Sequence, residues 1–293
     1  MSYEILCRSE YSAGATGRTP QPTGETAVVA LDGEIDRALI NRAVAQLDAA
    51  RISPSVSRVL LYCNSPGGRS PGMTDLADAI RRTAAAKQVV AYADDICASA
   101  CYWAASQAGK ILANRGALVG SIGTYTVLVD VSAALNRAGV RAHVVRAGQF
   151  KAIGALGSEV SAEQLAEVQR VVNGINGQFT AAVQSGRRMS AAELAAVADG
   201  RIHTAQDALR LRLVDGIASL SEVLAGIDRP QSKGQSVNAQ EQFNELVTDK
   251  VARGMPRSRA VAAVIRANPE LQGQLIAEAN ADRPASQRPR WRD

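Results

Sequence analysis

Residues 59–68, with the sequence VLLYCNSPGG, join an apolar run to a turn that contains one proline and two glycines. An apolar run of this length that stops at turn residues predicts a strand buried on both faces of a sheet. Gly67 and Gly68 can adopt backbone conformations that other residues avoid, and they leave space for a ligand to approach the backbone. Because ligands of parallel α/β sheets bind at the carboxyl ends of strands, this turn is either a binding element or an ordinary tight turn.

Strand and helix signals alternate on both sides of this stretch. Apolar runs predict strands at residues 26–31 and 88–93, and apolar residues at helical spacing predict helices at residues 38–50 and 73–85. Further short strands are predicted at residues 110–113, 118–119, 124–129 and 142–146. This order predicts an α/β fold with a mostly parallel sheet, flanking helices and right-handed crossovers.

The later part of the chain is richer in helical signals. Ser161 with Gln164, and Ser190 with Glu193, form capping-box patterns that predict helix starts. A polar stretch with proline and glycine, and almost no large apolar residue, then predicts a linker. The predicted organisation is an N-terminal extension at residues 1–24, a main domain at 25–228, a linker at 229–240, and a helical appendage with a basic tail at 241–293.

Composition narrows the class of protein. Of the 293 residues, 46% are hydrophobic and 21% are charged, which is ordinary for a globular protein and excludes a wholly disordered chain. No apolar run approaches the roughly 20 residues that cross a bilayer, and the first residues lack the apolar region of a secretory signal. We therefore expect a cytoplasmic protein without a membrane anchor. The arginine-rich end favours a solvated tail over a nucleic-acid contact, because no aromatic–basic repeat accompanies it.

Metal, cofactor and histidine chemistry find little support in the sequence. The four cysteines lack paired CxxC spacing, so we expect reduced thiols and no metal or cofactor. Cys97 and Cys101 have no histidine or carboxylate at ligand spacing, which favours simple packing of small side chains. Neither His143 nor His203 has an acid placed beside it, and a Ser-His-Asp triad stays open on the residues alone.

Ser99 lies where the strand at residues 88–93 gives way to a predicted helix, between the small residues Ala98 and Ala100. A serine in the first turn of a helix can be a plain N-cap. It can also be a nucleophile whose developing oxyanion meets the N–H of Ala100 at the helix N-terminus. The sequence allows both interpretations.

Lys151 follows Phe150 and precedes Ala-Ile-Gly, an apolar setting for a charged ammonium. A lysine serves as a general base only where burial lowers its pKa. Ser121, in the sequence GSIG, offers a hydroxyl that could bind such an amine. The alternative is a solvated surface lysine.

Four segments in order, NSPGG, ASACYW, GSIGT and GQFK, resemble the signal peptide peptidase A-like serine peptidases, which use a Ser/Lys dyad on a Clp- and crotonase-like fold. The resemblance covers about residues 25–225. Lys151 follows Ser99 by 52 residues and Ser121 follows it by 22, and these separations are similar to those of the family.

The resemblance implies a catalytic set of three side chains, with Ser99 as nucleophile, Lys151 as general base and Ser121 as the hydroxyl that positions the lysine. Oxyanion donors would be the backbone of Gly67 or Gly68 together with that of Ala100. It also implies protein or peptide substrates and a homo-oligomer, because peptidases on this fold tend to enclose their sites within assemblies.

The sequence SACYW, where membrane-bound members usually have SGGYY, and the GMPRSRAV-type tail resemble phage and prophage members that process capsid proteins. We therefore predict a Ser/Lys endopeptidase that processes capsid or scaffold proteins during phage head assembly. Two alternatives remain: a peptidase that degrades signal peptides or short peptides, and a non-enzymatic assembly protein on a peptidase fold. Intact Ser99 and Lys151 argue against the latter, and an acyl-CoA enzyme of the crotonase type would not need this pair.

Overall fold

The computed structural model describes residues 25–227, 239–252 and 254–268, together with residues 271, 273 and 275. The predicted extension at residues 1–24 and most of the predicted linker lie outside the described residues. The chain divides into two compact units, Met1–Arg229 and Pro230–Asp293.

The first unit is built on a sheet that has seven strands among the described residues. They are β1 (Thr26–Asp32), β2 (Arg58–Ser65), β3 (Gln88–Ala98), β4 (Lys110–Ala113), β5 (Leu118–Gly120), β6 (Ile202–Thr204) and β7 (Gly216–Ile217). The path through the sheet is β1-β2-β3-β4-β7, and every pair on it is parallel. β5 adds to β3 in parallel, and β6 pairs with β5 in antiparallel fashion. This confirms the predicted α/β fold.

Helices flank the sheet, and two more lie in the described part of the second unit. The first unit contains α1 (Arg37–Ile52), α2 (Met73–Ala86), α3 (Ala100–Ala105), α4 (Ser132–Arg137), α5 (Ala162–Arg187), α6 (Ala191–Val197), α7 (Ala205–Arg210) and α8 (Leu220–Ile227). The second contains α9 (Ala239–Ala252) and α10 (Arg257–Ala267), which enclose a small apolar core of their own. The capping boxes at Ser161 and Ser190 are both present, as the sequence predicts.

Strand β3 changes partner along its length, and this change positions the candidate site. Its middle pairs with β4 through residues 90–93, whereas its end pairs with β5 through residues 96–98. On its other side the register with β2 shifts between Cys63 and Ser65. The carboxyl ends of β2, β3 and β5 therefore meet at one edge of the sheet, where the NSPGG turn, Ser99 and Ser121 follow them.

The strands predicted at residues 124–129 and 142–146 do not form, so these two predictions are wrong for the single chain. The alternation of apolar residues is real, but it lies in solvent: the side chains of Tyr125, Val127 and Val129 are 68%, 69% and 67% exposed. A strand needs a hydrogen-bonded neighbour, and no described strand pairs with this segment.

Helices α5 and α3 pack closely against each other in the core. The rings of Trp103 and Phe179 stack with centroids 5.0 Å apart, and Gln107 Nε2 donates a hydrogen bond of 3.1 Å to the carbonyl of Ala182. Near the end of α5, a methyl group added to Gly186 would lie 2.0 Å from the carbonyl oxygen of Ser106. Only glycine fits at this crossing.

We expect Gly186→Ala to lower the free energy of unfolding by about 1–3 kcal/mol, because the added carbon must push the two helices apart. Gly174→Ala, on the same helix with nothing within 4 Å of the added carbon, is the matched control and should raise stability by up to about 1 kcal/mol. Urea unfolding followed by circular dichroism measures both. Equal effects of the two substitutions would contradict the close helix contact.

Candidate functional site

Ser99 has a backbone conformation that residues other than glycine rarely adopt. Its φ is 51° and its ψ is −122°, at the junction between β3 and α3. The peptide N–H of Ser99 donates to the Gly120 carbonyl at 2.8 Å, and the Ser99 carbonyl accepts from Trp103 at 2.9 Å. These bonds to β5 and to α3 hold a strained residue in place, and strain of this kind is concentrated at functional sites.

The glycine turn packs directly against this serine. A Cβ on Gly67, whose φ is 108°, would lie 2.7 Å from Ser99 Cβ and 3.0 Å from the backbone nitrogen of Ala100. Two backbone hydrogen bonds to Ile35 hold the turn in place. The Ile35 N–H donates to the Gly67 carbonyl at 2.7 Å, and the Ile35 carbonyl accepts from the Arg69 N–H at 2.9 Å. Contact this close excludes any side chain at residue 67.

The two glycines of the turn differ in the hydrogen-bonding state of their N–H groups. The N–H of Gly67 donates to Ser65 Oγ at 3.1 Å, inside the turn. The N–H groups of Gly68 and Ala100 have no acceptor among the described residues. Between the two predicted glycine donors of an oxyanion hole, Gly68 is therefore the one that is available.

Ser99 and Ser121 line the same cavity, together with Gly67 and Gly68. Its volume is about 1230 Å³, which is large enough for several residues of a peptide. Polar side chains of α5, Gln169 among them, line the cavity as well. Neither histidine is among the described residues that line it, which removes the support for a Ser-His-Asp triad.

Ser121 also has an unusual backbone, with φ of 51°. Its N–H donates to the carbonyl of Arg201 at 2.7 Å, and Gly120 before it pairs with Ile202 of β6. A Cβ on Gly120 would lie 2.9 Å from the Arg201 carbonyl oxygen. The GSIG sequence is thus a second strained turn, which brings the Ser121 backbone to the cavity wall.

Lys151 is placed apart from these residues. It is exposed in a turn after Gly148, whose carbonyl accepts from the Lys151 N–H at 3.1 Å, and it does not line the cavity. Its ammonium has no hydrogen-bond partner among the described residues. The structure therefore brings Ser99, Ser121 and the glycine turn together within one chain, and it does not bring Lys151 to them.

A group of three cysteines, which sequence reasoning missed, lies next to this site. Cys63, Cys97 and Cys101 are fully buried, and their sulfur atoms all lie within 4.8 Å of one another. The neighbouring thiols of Cys63 and Cys97 lower the pKa of the Cys101 thiol to about 5, and the proximity of Cys101 raises the pKa of each of the other two thiols. The register of β2 against β3 brings Cys63 to the others, and no spacing in the sequence reveals it.

Within the described parts of the chain, no helix is both long and apolar enough to span a membrane.

Comparison with known proteins gives two matching families. The sequence profile of Peptidase family S49 matches residues 81–232, about half of the chain, and the profile of Clp protease matches residues 22–119. The two matches overlap at the segment that contains Ser99.

Individual relatives come from archaea, bacteria and phages. A Methanocaldococcus jannaschii protein named as a protease is 30% identical over 183 residues, 62% of this chain and 59% of that protein. Protease 4 of Salmonella typhi is 27% identical over 76% of this chain and 37% of that protein. Capsid assembly protease C of Escherichia phage lambda is 27% identical over 63% of this chain and 42% of that protein. The chain thus spans less than two thirds of the length of these relatives.

The backbone strain at Ser99 can be tested without any assay of activity. We expect Ser99→Gly to be more stable than Ser99→Ala by about 1–2 kcal/mol, because glycine adopts a φ of 51° freely and alanine does not. Urea unfolding of the two variants measures the difference. If Ser99→Gly were the less stable of the two, the strained conformation would not exist in solution.

Proposed function

The chain belongs to peptidase family S49, and from that premise we propose that it is a serine endopeptidase acting on protein or peptide substrates. One observation carries the proposal. Ser99 is a strained serine at a strand-to-helix junction, with a glycine turn packed on it and a large cavity in front of it. A plain N-cap requires none of these features, and the Ser99 side chain caps no N–H of α3.

In the proposed reaction the Ser99 hydroxyl attacks the carbonyl carbon of the scissile peptide and gives its proton to a general base. The carbonyl oxygen becomes an oxyanion and accepts hydrogen bonds from the N–H groups of Gly68 and Ala100. The base then protonates the leaving amine, and water hydrolyses the acyl-serine in the same way. We assign the base to Lys151 as a neutral amine, oriented by the Ser121 hydroxyl.

This assignment requires Lys151 to enter a cavity that contains Ser99, and we propose that it enters the cavity of a second copy of the chain. Lys151 is exposed, and so are the apolar residues of the segment that carries it, including Val145 at 99% and Leu156 at 81%. An extended segment with exposed apolar side chains and no paired strand is suited to pack against a neighbouring chain. The proposed active form is therefore a homo-oligomer in which one copy supplies Ser99 and another supplies Lys151.

Mixing two inactive variants tests both the dyad and its origin. Ser99→Ala lacks the nucleophile, and Lys151→Arg replaces the amine with a guanidinium group that stays protonated and cannot act as a base. Each variant should therefore be inactive alone. After subunit exchange, an equimolar mixture should recover about a quarter of wild-type cleavage of a fluorogenic peptide, since random pairing restores that share of sites.

Lys110→Arg, a change at an exposed lysine of β4 away from the cavity, is the matched control and should stay active. Activity of either single variant would refute its assigned role. Inactive single variants whose exchanged mixture also stays inactive would place the lysine and the serine of one site in the same chain.

For the biological role we propose cleavage of capsid or scaffold proteins during phage head assembly. The name of the lambda relative supports this role, and the second unit, with its own small core, is suited to hold an assembly partner. A relative from Enterococcus faecium, 27% identical over 63% of this chain, is named as a signal peptide peptidase, so degradation of short or signal peptides is the competing role.

Ending the chain at Arg229 separates these roles. Because each unit has its own apolar core, the shortened chain should stay folded and cleave a short peptide at the rate of the full chain. Under the head-assembly role it should lose most cleavage of a co-expressed capsid or scaffold protein from the same genome, as measured by gel and mass spectrometry. Unchanged processing of that protein would remove the role assigned to the second unit.

A further inference from the structure

The three buried cysteines come from three different elements. Cys63 lies on β2 and Cys97 on β3, whereas Cys101 lies on α3. Cys97 precedes Ser99 by two residues and Cys101 follows it by two. A bond network that joined the three sulfurs would thus tie both sides of the Ser99 junction to the neighbouring strand.

The spacing of the sulfurs is close to that of a metal site. Thiolates bound to one zinc ion at about 2.3 Å lie about 4 Å from one another. Here all three sulfurs lie within 4.8 Å of one another, so displacements of each sulfur by less than about 1 Å would bring all three within bonding distance of one zinc ion. Three thiols gathered in this way prefer soft, thiophilic cations over magnesium or calcium.

We propose that Cys63, Cys97 and Cys101 form a binding site for one thiophilic divalent cation, with Zn²⁺ as the physiological candidate. Binding forms three metal–sulfur bonds and releases to solvent the protons that the thiols still carry, with no change of oxidation state. This site is distinct from the proposed peptidase chemistry, and no step of that reaction uses it.

A carboxylate at the same edge of the sheet does not belong to this group. Asp32 ends β1 and pairs with Asn64, whereas Leu31 pairs with Cys63, so the Asp32 side chain points to the opposite face of the sheet from Cys63. Its Oδ1 accepts a hydrogen bond of 3.2 Å from Asn64. The three thiolates are therefore the protein ligands of the proposed site, and a water molecule would fill the fourth position of a tetrahedral zinc ion.

The alternative is that the three thiols are only small apolar groups that fill the core, as cysteine often does. None of the three sulfurs reaches solvent, so a cation would enter during folding or through local opening of the Ser99 junction. The test must therefore give the cation access during synthesis of the protein.

The experiment uses the full chain, produced in cells grown with added zinc and purified under a phosphine reductant without chelator. Zinc per chain is measured by inductively coupled plasma mass spectrometry for the wild type, Cys63→Ala, Cys101→Ala and the control Cys7→Ala. Exchange of the zinc for Cd²⁺ then allows the ultraviolet charge-transfer band of cadmium bound to thiolate to be recorded.

We expect one zinc per chain in the wild type and in Cys7→Ala, loss of that zinc in Cys63→Ala and Cys101→Ala, and a cadmium–thiolate band only where zinc was bound. Circular dichroism verifies that the variants are folded. If a variant does not fold, the wild type decides alone: stripping with a strong chelator should lower its melting temperature. Wild-type protein without zinc and without a cadmium band would overturn the proposal, as would unchanged zinc in a folded Cys63→Ala. Because no readout involves peptide cleavage, failure here leaves the proposed peptidase function untouched.

Discussion

The close approach of the NSPGG turn to Ser99 is the contact on which the rest of the site depends. A backbone can lie this near a strand-to-helix junction only if residue 67 has no side chain and has a φ that favours glycine. The register of β2 against β3 shifts between Cys63 and Ser65, just before the turn, and the hydrogen bonds to Ile35 hold the turn in place. In the proposed chemistry, this contact leaves a space between the N–H groups of Gly68 and Ala100, and the carbonyl oxygen of the substrate binds there.

The change of partner along β3 explains why two serines far apart in sequence face one cavity. Because β5 replaces β4 beside the last residues of β3, the carbonyl of Gly120 can accept a hydrogen bond from Ser99 itself. The serine and the GSIG turn are thus parts of one hydrogen-bonded unit. Lys151, the proposed general base, does not line the cavity and is not part of this unit.

Much of this architecture can be predicted from sequence, and the failures have physical causes. The apolar runs at residues 59–63 and 88–93 predict the central strands β2 and β3 correctly, because a strand buried on both faces needs an unbroken apolar run. The run at residues 26–31 correctly predicts β1, which lies at the end of the described sheet path. The alternation at residues 124–129 predicts a strand that is not formed, since periodicity shows that a segment is able to pair and does not show that a partner is present. The positive φ of Ser99 and the meeting of Cys63 with Cys97 depend on strand register, which no local pattern encodes.

The solvent-exposed position of Lys151 has a consequence for the cell that makes the protein. Under the proposed arrangement, a newly made chain carries a nucleophile without a base, so it is inert until it meets other copies. Such a chain needs no inhibitory propeptide, because at low concentration the copies do not assemble and no chain is active. Its specific activity would then rise with concentration, and proteolysis would begin only where many copies are gathered, which limits damage to bystander proteins.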